Sequence, residues 1–270
     1  MVGVVLIPVV LGVTHLGGLV YALFVALLAA LGAYEFTAMA QRSGWHPARV
    51  LSVVGAAALC LSFHFGRGAL PGLVLTALLG LTFLERLARS SKEHYLAGTA
   101  STLLGAVYSG WLLGYFIWLR ALGADLPGAA EGGLEPGTAF VYLVLIVTWS
   151  YDSFAYLAGS LLGKHKLIPK ISPSKTVEGM VGGLVGAAAA ALVSAATFAP
   201  FLGLAEAVAL GLGLGVAAQV GDVVESMFKR SAGAKDSSNL IPGHGGFLDR
   251  FDSLLFTGPV MYFYVRLIAG

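Results

Sequence analysis

The sequence predicts an all-α, polytopic integral membrane protein of about nine transmembrane helices with a cytoplasmic N-terminus. Three observations carry this expectation. The 270 residues are 57% hydrophobic and only 11% charged, with mean hydropathy +0.85, whereas a soluble domain carries roughly 25% charge. Apolar stretches recur from one end of the chain to the other, which excludes a soluble domain with a single anchor. Basic residues fall in alternate loops, the pattern left by the positive-inside rule.

Taken in order, the candidate spans are 2–14, 18–41, 49–65, 69–86, 95–120, 137–161, 179–199, 202–228 and 252–269. A span needs ~20 mostly apolar residues. The first is short, so it must tilt, extend or lie in the interface. In hydrocarbon every backbone group must be paired internally, so these segments are expected as helices. Residues 121–136 form a Gly/Pro-rich acidic loop, and the chain reads as a single membrane domain, 1–270. No internal repeat is evident, which weakens an inverted-repeat transporter. The lone cysteine, Cys60, excludes an intramolecular disulfide and a Cys-based zinc site; it reads as a small buried apolar side chain.

The loops after spans two, four, six and eight hold Arg42 and Arg49; Arg86, Arg89 and Lys92; Lys164, Lys166, Lys170 and Lys175; and Lys229, Arg230, Lys235 and Arg250. Only Arg67, Arg120 and Arg266 lie elsewhere. This places the even loops and the N-terminus in the cytoplasm and the C-terminus outside.

Two of those loops are chemically rich. Residues 164–179 end in Ser172-Pro-Ser-Lys175-Thr176-Val-Glu178-Gly179, and residues 226–252 carry Lys229, Arg230, Lys235, Asp236, His244, Asp249, Arg250 and Asp252 around a Gly-rich turn. Asp222, Glu225 and Ser226 share one face of the eighth helix. Ionisable groups within spans are costly and point to a pathway or a site. Carboxylates among clustered Lys and Arg suit a Mg²⁺–phosphate site, because Mg²⁺ keeps several waters and takes one or two carboxylates plus substrate phosphates. Gly243, Gly245 and Gly246 let backbone N–H groups approach an anion, and His244 can hydrogen-bond a phosphate.

Plainer readings stand beside these. Lys164, Lys166 and Lys170 suit a topology signal or lipid headgroup contacts. Asp236 suits a helix cap, and Asp152 a structural ion pair. Glu35, Glu85 and Glu206 read as interfacial or paired. Gly179, Gly182, Gly183 and Gly186 are spaced for close helix packing. Gly159-Ser-Leu-Leu-Gly-Lys164 is one residue short of a phosphate-binding loop and lacks the following Ser/Thr.

The segment Ser226-x-Phe228-Lys229-Arg230-x4-Lys235-Asp236-x-Ser238-x2-Ile241-Pro242-x-His244-Gly245-Gly246-Phe247-x-Asp249-Arg250-Phe251-Asp252 resembles the signature of the phosphatidate cytidylyltransferase (CDP-diacylglycerol synthase) family. Ser172-Pro173-x-Lys175-Thr176-x-Glu178-Gly179 resembles that family's second motif, with Ser174 standing where many relatives carry a basic residue. The resemblance implies transfer of the cytidylyl group of CTP to phosphatidate at the cytoplasmic face of a bacterial-type inner membrane, giving CDP-diacylglycerol and pyrophosphate for phospholipid synthesis. It implies Mg²⁺, with a second divalent or monovalent cation as an option, on Asp222 and Asp249. Asp222, Asp249, Lys229 and Arg250 are then the expected catalytic groups. Ser172, Lys175, Thr176, Glu178, Ser226, Arg230, Lys235, Asp236, His244, Gly245, Gly246 and Asp252 are the expected substrate-binding ones. Expected partners are CTP, phosphatidate and membrane lipids, with no nucleic acid and a homodimer as an option. Two competitors stay open: a transporter or channel for an anionic solute, and a CTP-dependent enzyme acting on another lipid phosphate or alcohol. Pyrophosphate release with CTP and phosphatidate separates the first from the enzyme.

Overall fold

The computed structural model describes residues 2–66, 68–89, 95–122, 134–238 and 245–269. Among them the apolar segments form helical rods where the sequence places them. These are α1 (Val2–Leu16), α2 (Gly18–Arg42), α3 (Arg49–Phe65), α4 (Ala69–Ala88), α5 (Tyr95–Ala106), α6 (Leu112–Ala121), α7 (Pro136–Leu162), α8 (Val177–Thr197), α9 (Leu204–Ser231) and α10 (Leu248–Tyr264). A π-helical turn, Val107–Trp111, makes α5 and α6 one continuous rod. Among the described residues, six rods are long and apolar enough to cross a membrane: α2, α4, α5–α6, α7, α8 and α9. The protein is therefore an all-α integral membrane protein, with one small addition. A two-stranded antiparallel hairpin, β1 (Lys166–Ile168) and β2 (Ser172–Thr176), occupies the loop before α8.

The chain folds as two compact units that alternate along the sequence. The first comprises residues 1–118 and 228–251; the second comprises residues 119–227 and 252–270.

In the first unit, small residues let helices approach closely. A Cβ added at Gly110 would sit 2.5 Å from the Ala56 carbonyl oxygen, so α3 and the π-helical turn meet backbone to backbone. Such contact is how apolar helices associate when lipid offers no hydrophobic drive. Ser52 Oγ donates to the Thr102 carbonyl at 2.9 Å, and the Ala48 amide donates to Thr102 Oγ1 at 2.8 Å. Phe63 packs against Trp111, Tyr115 and Trp118, with ring centroids 5.3, 5.5 and 4.4 Å away. Phe36, Tyr108 and Phe228 form a second aromatic cluster, in which Phe228 meets the other two edge-on at 5.2 and 5.4 Å. That geometry suits ring quadrupoles and fixes the end of α9 against α2. Cys60 is fully buried, as its apolar surroundings predict.

In the second unit, α7 and α8 are fused by the glycine stripe. A Cβ at Gly182 would lie 2.3 Å from the Ala158 Cβ, one at Gly183 2.7 Å from the Tyr151 ring, and one at Gly186 2.6 Å from Phe154. The packing role expected for this stripe is what the fold displays. Thr176 starts α8 by accepting the Gly179 amide at 3.1 Å, an N-cap. Gly159, within the false phosphate-loop match, packs under that cap: its Cβ would lie 3.2 Å from Thr176 Oγ1. Gly211 brings α9 onto the α8 backbone, and Gly221 brings it within 2.5 Å, Cβ to oxygen, of the Asp252 carbonyl on α10.

Candidate active site

In the first unit the signature folds around two carboxylates. Asp249 stands in the first turn of α10, 11% exposed. Its Oδ1 accepts from Lys229 Nζ at 2.6 Å. Its Oδ2 accepts from the Ser237 amide at 3.0 Å, Ser237 Oγ at 2.7 Å and the Gly246 amide at 2.8 Å. Burial works against the charge, but Lys229, the Gly246 amide and Ser237 outweigh it and hold the carboxyl at about 2. Gly245 adopts φ +79°, a left-handed conformation natural only to glycine, and a Cβ there would press to 2.8 Å from Asp249 Oδ2.

Because the Asp249 pKa is depressed by folding from an ordinary value near ~3.9, its stabilisation is fully present above that value. It is lost as pH falls through about 2. Acid titration of stability between ~pH 4 and 2 is therefore expected to flatten in Asp249→Asn. An unchanged slope in that window would remove the ion pair from the stability of this unit.

The second carboxylate is Glu35 on α2, completely buried. One oxygen accepts from Ser238 Oγ and the Phe247 amide (2.9 Å); the other accepts from Ser237 Oγ (3.2 Å) and the Leu248 amide (2.7 Å). Glu35 is thus paired, as expected, with neutral donors. A lone carboxylate in a 25-residue apolar helix was the signal available in the sequence.

The basic groups of this unit spread outward from that core. Arg230 donates to the Ala234 carbonyl at 3.1 Å, while Arg250, Lys235 and Asp236 are exposed. Lys235, Asp236 and Ser238 line an open cavity of about 250 Å³ with Arg42 and the small residues 232–234. Arg42 is a cation that sequence reasoning treated only as a topology signal. His244 lies outside the described residues.

In the second unit, Lys175 Nζ on β2 meets Asp222 Oδ2 on α9 at 2.6 Å. Asp152 on α7 is close enough to feel the charges of both. Ser226 Oγ lies 3.5 Å from Asp222 Oδ1, and Glu225, one turn from Asp222, is fully buried. Tyr151 donates to Gln219 Oε1 at 2.7 Å beside this group. Glu178 accepts the backbone amides of Lys164 (3.1 Å) and His165 (3.2 Å), and pairs with the His165 ring at 2.6 Å, so it ties the hairpin to the start of α8. Ser172 is buried on β2, with its hydroxyl 3.5 Å from that of Ser174. Asp252 is buried on α10 and accepts the Ser253 amide at 2.7 Å.

The comparisons with known proteins point one way. The model of the cytidylyltransferase family matches residues 1–268. The chain belongs to the cytidylyltransferase family. It is 34% identical to the phosphatidate cytidylyltransferase of Synechocystis sp. (strain ATCC 27184 / PCC 6803 / Kazusa), over 94% of this chain and 90% of that protein. It is also 34% identical to that of Staphylococcus saprophyticus, over 96% and 93%. The Bacillus subtilis (strain 168) phosphatidate cytidylyltransferase is 43% identical over 62% of this chain and 58% of its own length.

For a cytidylyltransferase, the donor sets fit Mg²⁺. Among the described residues no three His, Cys, Asp or Glu side chains gather as a metal cage. Mg²⁺ needs no such cage, since substrate phosphates and water complete its shell. Asp222, half-buried and balanced by Lys175, has the chemistry such a site asks for. On Asp249, Oδ2 is saturated by three donors, which leaves Oδ1, shared with Lys229, as the oxygen with capacity for a cation.

Proposed function

We propose that the protein transfers the cytidylyl group of CTP to phosphatidate, giving CDP-diacylglycerol and pyrophosphate, with its site facing the cytoplasm of a bacterial-type inner membrane. The observation that carries this reading is the pairing of a cation from each motif with one of the two aspartates expected to hold metal. Lys229 sits on Asp249 in one unit and Lys175 on Asp222 in the other, both at 2.6 Å. The full-length likeness to phosphatidate cytidylyltransferases supports it.

A phosphatidate oxygen attacks the α-phosphorus of CTP. A phosphomonoester has a second pKa near ~6, so the nucleophile is already ionised and needs no general base. The barrier is repulsion between a dianion and a polyanion, and catalysis consists of positioning and charge neutralisation. Lys229, Arg230, Lys235 and Arg250 neutralise phosphates, joined by Lys175 from the hairpin. Gly245 and Gly246 let backbone amides approach an anion. Ser172, Thr176, Ser226 and His244 offer hydrogen bonds to substrate, while Asp236, Asp252 and Glu178 orient the cations. Asp222 and Asp249 are the proposed Mg²⁺ ligands, each within its own unit; bound there, Mg²⁺ would offset the negative charge of the phosphates. Alternating basic loops support a cytoplasmic N-terminus and crossing by all nine rods, including the three shorter ones.

Purified protein given CTP, phosphatidate and Mg²⁺ is expected to release pyrophosphate and form CDP-lipid. Solute uptake into vesicles without CTP, and no CDP-lipid, would overturn the reading in favour of transport. Lys175→Ala is expected to raise KM for CTP about tenfold, the scale of one charge-assisted contact. An unchanged CTP dependence removes the hairpin from the site.

A further inference from the structure

We propose that Glu35 is a positioning residue of the cytidyl-transfer site, whose buried carboxylate holds the Ser237–Ser238 stretch against the start of α10 and thereby orients Asp249. The proposal rests on the functional reading above. Its geometry lies wholly within the first unit.

A carboxylate removed from water is costly unless hydrogen bonds satisfy it. Glu35 has no exposed surface, yet both of its oxygens are engaged, each by one hydroxyl and one backbone amide. The two amides, of Phe247 and Leu248, stand at the cap and the first residue of α10. Helix starts leave such N–H groups without intrahelical partners, and local Ser, Thr, Asp or Asn side chains usually serve them. Here Phe247 occupies the place of the cap and has no side-chain acceptor. The acceptor comes instead from α2, 212 and 213 positions away in sequence. Negative charge at that end is also favoured by the helix dipole.

The link to Asp249 runs through Ser237. Its hydroxyl lies 2.7 Å from Asp249 Oδ2 and 3.2 Å from Glu35 Oε2, so one proton serves two carboxylates. The Ser237 amide and the Gly246 amide both bond the same Asp249 oxygen. Gly246 shows how closely these groups are gathered. A Cβ there would lie 2.0 Å from Ser237 Oγ and 2.6 Å from both Glu35 oxygens. Loosening Glu35 therefore shifts the donors that fix which way Asp249 points.

The test is Glu35→Gln, which keeps the shape but turns one acceptor oxygen into an N–H donor facing a donor. On folded protein isolated by size exclusion, kcat for CDP-lipid formation is expected to fall about 10–100-fold, the range for groups that orient a metal ligand. KM for CTP should change less than threefold. Amide hydrogen exchange across 245–249 should accelerate. A merely structural Glu35 would reduce the yield of folded protein and leave kcat per folded molecule intact; that result overturns the proposal. Should Glu35→Gln fail to fold, Glu35→Asp, which keeps the charge but is one methylene too short to reach both stretches, is judged by the same kcat and exchange criteria. Wild-type protein without CTP-dependent turnover would sink the functional reading instead, and the exchange rates would still decide whether Glu35 holds this segment.

Discussion

Asp222→Asn is expected to cut CDP-lipid formation on the order of 10³-fold, the scale on which charge-stabilising groups act in phosphoryl transfer, while the folded protein survives detergent extraction. The substitution preserves volume and removes charge. Its structural cost is small, because the Lys175–Asp222 pair is part-exposed, at 15% and 38% for the two side chains, and pairs of that kind contribute about 1 kcal/mol or less. Asp249→Asn is expected to lose turnover to a similar degree but with a real stability penalty, since Lys229 and Asp249 are only 13% and 11% exposed. Removing one member of a buried pair costs about 3–5 kcal/mol. The contrast between the two variants is itself informative: equal loss of activity with unequal loss of stability separates chemistry from folding. Near-normal turnover in both would refute the metal assignment.

The second large effect concerns assembly. Gly182→Val is expected to destabilise the second unit by about 2–3 kcal/mol, the upper range for overpacking a tight contact. Even the first carbon of a side chain would meet the Ala158 Cβ at 2.3 Å, so α7 and α8 must part. Thermal unfolding in detergent, read by tryptophan fluorescence or by aggregation onset, checks it. A matched substitution at Gly213, whose Cβ would meet nothing within 4 Å, should leave the midpoint unchanged. A Gly182→Val midpoint equal to wild type would mean that the stripe does not set the α7–α8 separation.

Much of the architecture was legible in the sequence because hydrocarbon imposes a simple rule: apolar runs become helices. The glycine spacing at 179–186 disclosed its packing partner type, since only a neighbouring helix needs that much room. Other features depend on contacts that no local pattern encodes. The hairpin at 166–176 has strands of three and five residues rich in Lys, Ser and Pro, with no period-two alternation to betray it. Glu178, expected among the substrate-binding groups, also accepts the amides of Lys164 and His165, a local contact that the sequence pattern does not show. Glu35 could be flagged as anomalous from its apolar surroundings, but its partners lie 202–213 positions downstream. The signature was readable from its spacing as that of the family the chain belongs to; that its two halves are held by a carboxylate from the second helix was not.

The order of the chain gives that last contact a temporal meaning. The ribosome delivers α2 to the bilayer long before Ser237, Ser238, Phe247 and Leu248 exist, and most of the second unit, residues 119–227, is synthesised in between. A nascent protein therefore carries an acid in its second helix whose four donors arrive only once residues 237–248 have emerged.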